Sequence, residues 1–97
     1  MAYTVTVIAD GASIDQVNAA QLSYLEALEA EIGGPAQVLP CFRAWAKGVE
    51  HGIKALSPEE DQLSAAWLLA TNAAKRRASP LLGNAKGIDF LFSIKHP

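Results

Sequence analysis

The chain has 97 residues, of which 51% are hydrophobic and 19% are charged, with eight basic and ten acidic side chains. This composition fits one domain over residues 1–97, and it excludes a disordered chain and a nucleic-acid binder that acts through overall positive charge. No apolar run reaches the roughly 20 residues that a membrane helix needs, so we expect no membrane contact. The amino terminus has no basic residue before its apolar stretch and Cys41 is the single cysteine, so we expect a cytoplasmic protein.

Acidic and basic side chains are separated along the chain. Residues 1–42 hold five acidic side chains and no Lys or Arg, whereas residues 43–97 hold all eight basic side chains and five acidic ones. The two parts should therefore attract each other. We expect the first helix to lie near the basic end of the third helix within one subunit. The alternative is head-to-tail or domain-swapped association between subunits.

The first predicted elements are a strand and a long helix. In Tyr3–Ile8, β-branched valine alternates with threonine, which is typical of a strand, and residues 10–11 indicate a turn. Ser13 and Gln16 have the spacing of a capping box, which predicts the start of an amphipathic helix. The sequence Gly-Gly-Pro at 33–35 predicts its end.

The second helix is predicted to begin at Pro40, after a linker over residues 36–39, and to run to Leu56. Its apolar seam consists of Phe42, Trp45, Val49, Ile53 and Leu56. Gly48 and Gly52 fall on a neighbouring ridge, and each interior glycine costs about 1 kcal/mol relative to alanine. We therefore expect the backbone of the third helix to approach this ridge closely, through its own ridge of small alanine side chains.

The third helix is the central one. Ser57 is placed as its N-cap, Pro58 fits the first helical position, and Glu60 completes a capping box. Three consecutive basic residues, 75–77, complement the negative end of the helix dipole, and the helix is predicted to end at Ala78. Apolar side chains cover more than one face of this helix, which indicates contacts on at least two sides.

The last predicted element is a strand over Ile88–Ile94, with one strongly apolar face. The fold class is therefore α+β, in the order β-α-α-α-β, with a small two-stranded sheet packed against three helices. A two-stranded sheet is marginal alone, and its open edges can pair between subunits. We therefore predict a homodimer whose sheet is extended by dimerisation.

Few residues are suited to catalysis. Cys41 and His51 lie on one predicted helix about 15 Å apart along its axis, so they cannot form a dyad. Cys41 fits a small buried side chain, although a position in the first turn of a helix would lower its pKa. His51 is expected to face solvent, and His96 lies in the carboxyl-terminal tail. No ligand pattern indicates a metal ion, and no motif indicates a cofactor.

The candidate surfaces are apolar and basic. Trp67 fits the core, but the apolar surface of the central helix exceeds what its neighbours can cover, so an association surface is predicted from Trp67, Leu68, Leu69 and Leu91. The candidate anion contacts are Lys75, Arg76, Arg77 and Lys86. Helix termination explains the first three of these equally well, and one short cluster is a weak footprint for nucleic acid.

Three hypotheses follow for the function. We favour a small non-catalytic protein-protein interaction module, of the adaptor or inhibitor type, that acts as a homo-oligomer through apolar helix and strand-edge surface. The second hypothesis is a small ligand-binding protein or enzyme with a pocket between helices and sheet, using Cys41, Tyr24 or His51 as polar contacts. The third is a weak nucleic-acid binder that uses the basic cluster.

Overall fold

The computed structural model describes residues 2–95. Its elements are the strand β1 (Ala2–Asp10), the helices α1 (Ile14–Ile32), α2 (Pro35–His51) and α3 (Pro58–Ala78), and the strand β2 (Lys86–Lys95). Short 3₁₀ turns at Ile53–Ala55 and Ser79–Leu82 precede and follow α3. The predicted α+β class and the predicted order β-α-α-α-β are confirmed. His96 lies outside the described residues.

The two strands pair antiparallel along almost their whole length. Val5 lies opposite Phe92 and Val7 opposite Phe90, so the apolar side chains of both strands share one face. That face packs on the helices, and the opposite face exposes Thr6, Leu91 and Ser93. The predicted apolar face of the second strand is therefore confirmed. The pairing becomes irregular between Ile8 and Asp10, where β1 ends.

One core joins the sheet to all three helices. It contains Val5 and Phe90 from the strands, Leu28 from α1, Val38 from α2 and Trp67 from α3. Rings in contact continue across it, since Trp67 lies 4.9 Å from Phe92 and 5.3 Å from Phe42 between ring centroids. Helices α1 and α2 both pack mainly on α3. The position of α3 as the central helix is therefore set by contacts on two sides.

The helix ends predicted from capping patterns are confirmed at α1 and α3. Ser13 and Gln16 form a reciprocal capping box, and Ser57 and Glu60 form another. Gly33 ends α1 in the left-handed conformation, with φ of 97°, which glycine adopts without a Cβ clash. The capping hydrogen bonds at the starts of α1 and α3 join residues only three apart. The sequence pattern was therefore sufficient to predict where both helices begin.

The predicted start of α2 is wrong. The helix begins at Pro35, so residues 36–39 are helical and Pro40 lies inside the helix. Pro35 fits the first helical position as well as Pro40 does. Pro40 lacks the amide that would bond to the carbonyl of residue 36, and its ring crowds that carbonyl, near the helix start. Burial of Val38 and Leu39 supports the extra turn against that loss.

The predicted end of α2 is also wrong. The helix ends at His51 because Gly52 has φ of 90°, and Val49 and Ile53 are exposed instead of belonging to an apolar seam. A Cβ at Gly48 would lie 3.1 Å from Cδ1 of Leu56, whereas one at Gly52 would meet nothing within 4 Å. Gly48 therefore leaves room for the Leu56 side chain, and Gly52 provides the positive φ that ends the helix. Neither glycine marks the approach of a second helix backbone.

Helices α2 and α3 both bury small side chains. These are Ala44 of α2 and Ala70 and Ala74 of α3. Near the ends that the short connection joins, Lys47 of α2 contacts Glu60 of α3 at 2.9 Å. This pair places the end of α2 beside the start of α3, as an antiparallel arrangement requires. Within residues 2–95, none of the helices combines the length and hydropathy needed to cross a bilayer.

Candidate functional site

Hydrogen bonds at the two outer edges of the sheet show which backbone groups face away from it. The Phe90 amide donates to Oδ1 of Asp89 at 2.9 Å, and the Val5 carbonyl accepts from Nε2 of Gln21 at 2.8 Å. Both groups therefore point outward. Because residues of an antiparallel pair alternate between inward and outward bonding, Phe92 and Ile94 also direct their amides and carbonyls away from β1.

The two edges differ in what covers them. The edge of β1 faces α1, and Gln21 of that helix satisfies the Val5 carbonyl. At the start of β2, the outward Phe90 amide is already satisfied, because it donates a hydrogen bond to the Asp89 side chain. Beyond that point, no further strand among the described residues pairs with β2. The segment from Phe92 to Ile94 is therefore an open, largely apolar strand edge, which is a template for strand pairing.

A groove of about 320 Å³ lies between this open edge and α3, and we call it the β2-edge groove. Aromatic side chains from the three helices and β2 line it: Tyr24, Phe42, Trp45, Trp67, Phe90 and Phe92. Leu68 and Leu91 line it from α3 and β2, and the polar residues Thr71, Asn72 and Lys75 line it along α3. An aromatic groove beside an open strand edge can accept an additional strand together with its side chains.

The residues of the predicted association surface are divided by the structure. Trp67 is 4% exposed and belongs to the core, whereas Leu68, Leu69 and Leu91 are 49%, 73% and 43% exposed. Leu68 and Leu91 come together at the β2-edge groove. Leu69 is the more exposed neighbour on α3, but it is not part of the groove lining. Of the exposed residues of the predicted surface, Leu68 and Leu91 therefore line the groove and Leu69 does not.

A second groove, of about 800 Å³, lies between α1 and α2, and we call it the α1–α2 groove. Apolar side chains dominate its lining: Leu22, Leu25, Pro35, Ala36, Leu39 and Pro40. Its polar lining residues are Tyr3, Glu26, Glu29 and Arg43. Sequence reasoning missed this groove entirely. The only signal for it was an apolar and acidic stripe on α1, at positions 22, 25, 26 and 29, which helical spacing places on one side.

One polar pair fixes the sheet to α1 at the α1–α2 groove. The Tyr3 hydroxyl donates a short hydrogen bond to Oε2 of Glu29. Desolvation, that hydrogen bond and the nearby carboxylate charge raise the pKa of Tyr3 to about 12. The phenol therefore stays neutral at ordinary pH and acts as a hydrogen-bond donor. Glu29 is held by it on the groove lining.

The residues considered for catalysis are not brought together. Cys41 is buried, as predicted. It lies beyond the first turn of α2 and burial raises the pKa of its thiol, so the alternative of a lowered pKa at a helix start is wrong. Tyr24 is buried against Phe90, and burial followed by the Asp89 charge raises its pKa to about 12. His51 is exposed, as predicted, at the end of α2 beside Glu50. These positions favour no nucleophile or base.

The four predicted anion contacts are all exposed. Lys75, Arg76 and Arg77 form the last turn of α3, where they complement the helix dipole, and Lys86 lies opposite Asp10 in the sheet. Lys75 also lines the β2-edge groove. An anion site at these residues stays a prediction. In the part of the chain that the structure describes, no group of three His, Cys, Asp or Glu side chains could hold a metal ion.

Comparison with protein families, with curated proteins and with solved structures finds no significant match to this chain. The two grooves and the two edges of the sheet are therefore the features that indicate a function.

Proposed function

We propose that this protein is a non-catalytic interaction module that forms a homodimer through the open edge of β2. Two copies would pair their β2 strands antiparallel across a two-fold axis, which extends each two-stranded sheet into one four-stranded sheet. The observation that carries the proposal is the outward direction of the Phe92 and Ile94 backbone groups at an edge with no partner strand within residues 2–95.

The side chains around the edge support the same arrangement. Leu68 and Leu91 are each nearly half exposed and both line the groove beside the edge, so a second strand there would cover apolar surface of both. The aromatic lining of the β2-edge groove would gain contacts in the same event. Burial of apolar area stabilises association by about 25 cal/mol per Å² before the entropy costs of binding. Strand pairing would then supply orientation and the leucines would supply affinity.

Oligomeric mass tests the proposal, with a matched pair of variants. We expect the wild-type protein to sediment at twice the 10.3 kDa chain mass at micromolar concentration. Leu68→Asp should raise the dimer dissociation constant at least about tenfold, because it places a carboxylate in the interface. Leu69→Asp is the control, since it makes the same change on the next residue of α3, away from the groove.

A wild-type monomer at those concentrations would remove the proposal. Equal weakening by both leucine variants would also contradict it, because a nonspecific charge effect would then explain the result. Far-ultraviolet circular dichroism of each variant establishes that the fold is retained before the masses are compared.

The second candidate, a ligand-binding protein, is favoured by the size of the α1–α2 groove. Its volume of about 800 Å³ lies within the range of about 300–1,000 Å³ found for small-molecule sites. The groove is open and its lining is mainly apolar, however, and it contains none of the predicted polar contacts Cys41, Tyr24 and His51; Tyr24 lines the smaller β2-edge groove between helices and sheet instead. This makes a macromolecular segment a better fit than a small polar substrate.

A further inference from the structure

The α1–α2 groove has the form of a site for one more helix. On α1 its lining follows positions 22, 25, 26 and 29, and on α2 it follows positions 35, 36, 39, 40 and 43. These are the spacings of single helix faces, and each extends over about two turns. Both helices place their other faces against α3, so the groove is the open side of a bundle that a fourth helix would close.

The charges on the groove indicate the chemistry of that helix. Glu26 and Glu29 line it as carboxylates, against the single guanidinium of Arg43. The last turn of α1 contains no basic residue. Glu29 lies close to the carbonyl end of α1, where the helix dipole is already negative and disfavours a carboxylate. A basic partner would relieve this repulsion.

We infer that the α1–α2 groove binds a basic amphipathic helical segment of a partner protein. Its apolar residues, at helical spacing, would cover Leu22, Leu25 and Leu39, and its Lys or Arg residues would face Glu26 and Glu29. This inference goes beyond homodimerisation through β2. Tyr3 lines the groove from the β1 side of the sheet, so the two surfaces lie at opposite edges and one protein can use both.

A pair of synthetic peptides tests the site on the intact protein. Both are 14 residues long with leucines at i, i+3, i+4 and i+7, and their flanking positions are all lysine in one peptide and all glutamate in the other. We expect fluorescence anisotropy to show saturable binding of the lysine peptide at least about tenfold tighter than that of the glutamate peptide. Amide shifts on binding should concentrate in α1 and α2.

Two matched variants locate the binding. Glu26→Lys should weaken binding of the lysine peptide at least about tenfold, because the substitution reverses a charge on the groove lining. Glu31→Lys makes the same change on α1 outside the lining and should weaken it by less than about threefold, because salt screens exposed charges at a distance. Both positions are exposed, so neither substitution should disturb folding.

The inference is overturned if neither peptide binds, if the two peptides bind equally, or if both variants weaken binding to the same extent. Amide shifts centred on β2 would move the site to the other groove and would also overturn it. A change in the sedimenting mass of the protein alone on Glu26→Lys would assign the groove to a second copy instead. Leu68→Asp should leave peptide binding unchanged, so failure of the dimer and failure of this site remain distinguishable.

Discussion

The two edges of the sheet show how differently one small fold can treat equivalent backbone groups. At β1, a side chain from α1 takes the place of a neighbouring strand, since Gln21 donates a hydrogen bond to the Val5 carbonyl. At β2, only the Asp89 carboxylate, from the strand itself, occupies an outward amide. The edge of β1 is therefore tied to α1 by a hydrogen bond, while the edge of β2 remains available to another chain.

Aromatic side chains join the two regions through the interior. Tyr3, which lines the α1–α2 groove, stacks on Phe92 at 5.4 Å between ring centroids, and Phe92 lines the β2-edge groove. Phe92 also contacts Phe42 and Trp67. Both grooves thus share one rigid set of rings, and changes to this set should affect both while changes at either edge should stay local.

The largest expected effect comes from removing one of the aromatic side chains that join the two grooves. Trp67→Ala removes a buried indole that contacts three other rings, and it should lower the free energy of unfolding by about 3–5 kcal/mol. Urea denaturation followed by circular dichroism measures the change. Leu69→Ala on the same helix is exposed and should change stability by less than about 0.5 kcal/mol. Similar losses for both variants would contradict the core position of Trp67.

The next largest effect distinguishes the contribution of the backbone amides at the open edge from that of the side chains. Ile94→Pro removes an outward amide, while the bonds between β1 and β2 are kept because Ile94 and Tyr3 are not a hydrogen-bonded pair. Ile94→Ala removes the same packing and keeps the amide. We expect proline to raise the dimer dissociation constant at least about tenfold relative to alanine, as measured by sedimentation equilibrium. Equal constants would show that this amide takes no part in dimerisation.

A smaller effect is expected at the covered edge. Gln21→Ala leaves the Val5 carbonyl without its side-chain donor, and it should cost about 1 kcal/mol of stability in urea denaturation. The dimer dissociation constant should not change, since this edge faces α1. Gln62→Ala on the exposed face of α3 is the control and should be close to neutral. A larger dissociation constant in Gln21→Ala would place the dimer contact at the wrong edge.

The smallest effect is a dependence on alkaline pH. The pKa of Tyr3 is raised from 10.0 to about 12, so the folded state favours the neutral phenol. Its contribution to stability is therefore complete below pH 10 and is lost as pH rises from 10 through 12. The stability difference between wild type and Tyr3→Phe should be constant below pH 10 and change across that interval. Tyr24 contributes equally to both proteins, and a constant difference up to pH 12 would exclude the effect.

The sequence predicted the elements whose signals are local. Alternation along Ile88–Ile94 indicates which face of the strand is buried, and the capping boxes at Ser13 and Ser57 mark helix starts because the hydrogen bonds involved span three residues. The boundaries of α2 were not predictable in this way. Pro35 and Pro40 both fit a helix start, and tertiary burial of the residues between them decides which one is used.

The grooves depend on information that a sequence pattern does not contain. Leu68 and Leu69 are adjacent leucines on one helix, and only the position of β2 makes one of them line a groove. The outward direction of the Phe92 amide follows from the register of β1 with β2, which alternation alone leaves open. The pairing of Tyr3 with Glu29 joins residues 26 positions apart and has no local signal.

Amide hydrogen exchange at β2 tests the open edge most directly. If two copies pair there, the Phe92 and Ile94 amides should exchange at least about tenfold more slowly at concentrations that favour the dimer than at dilution, because pairing closes them to water. The Leu91 and Ser93 amides, which face β1, should show no such dependence. Exchange of Phe92 and Ile94 at one constant rate over the whole concentration range would contradict the proposed dimer.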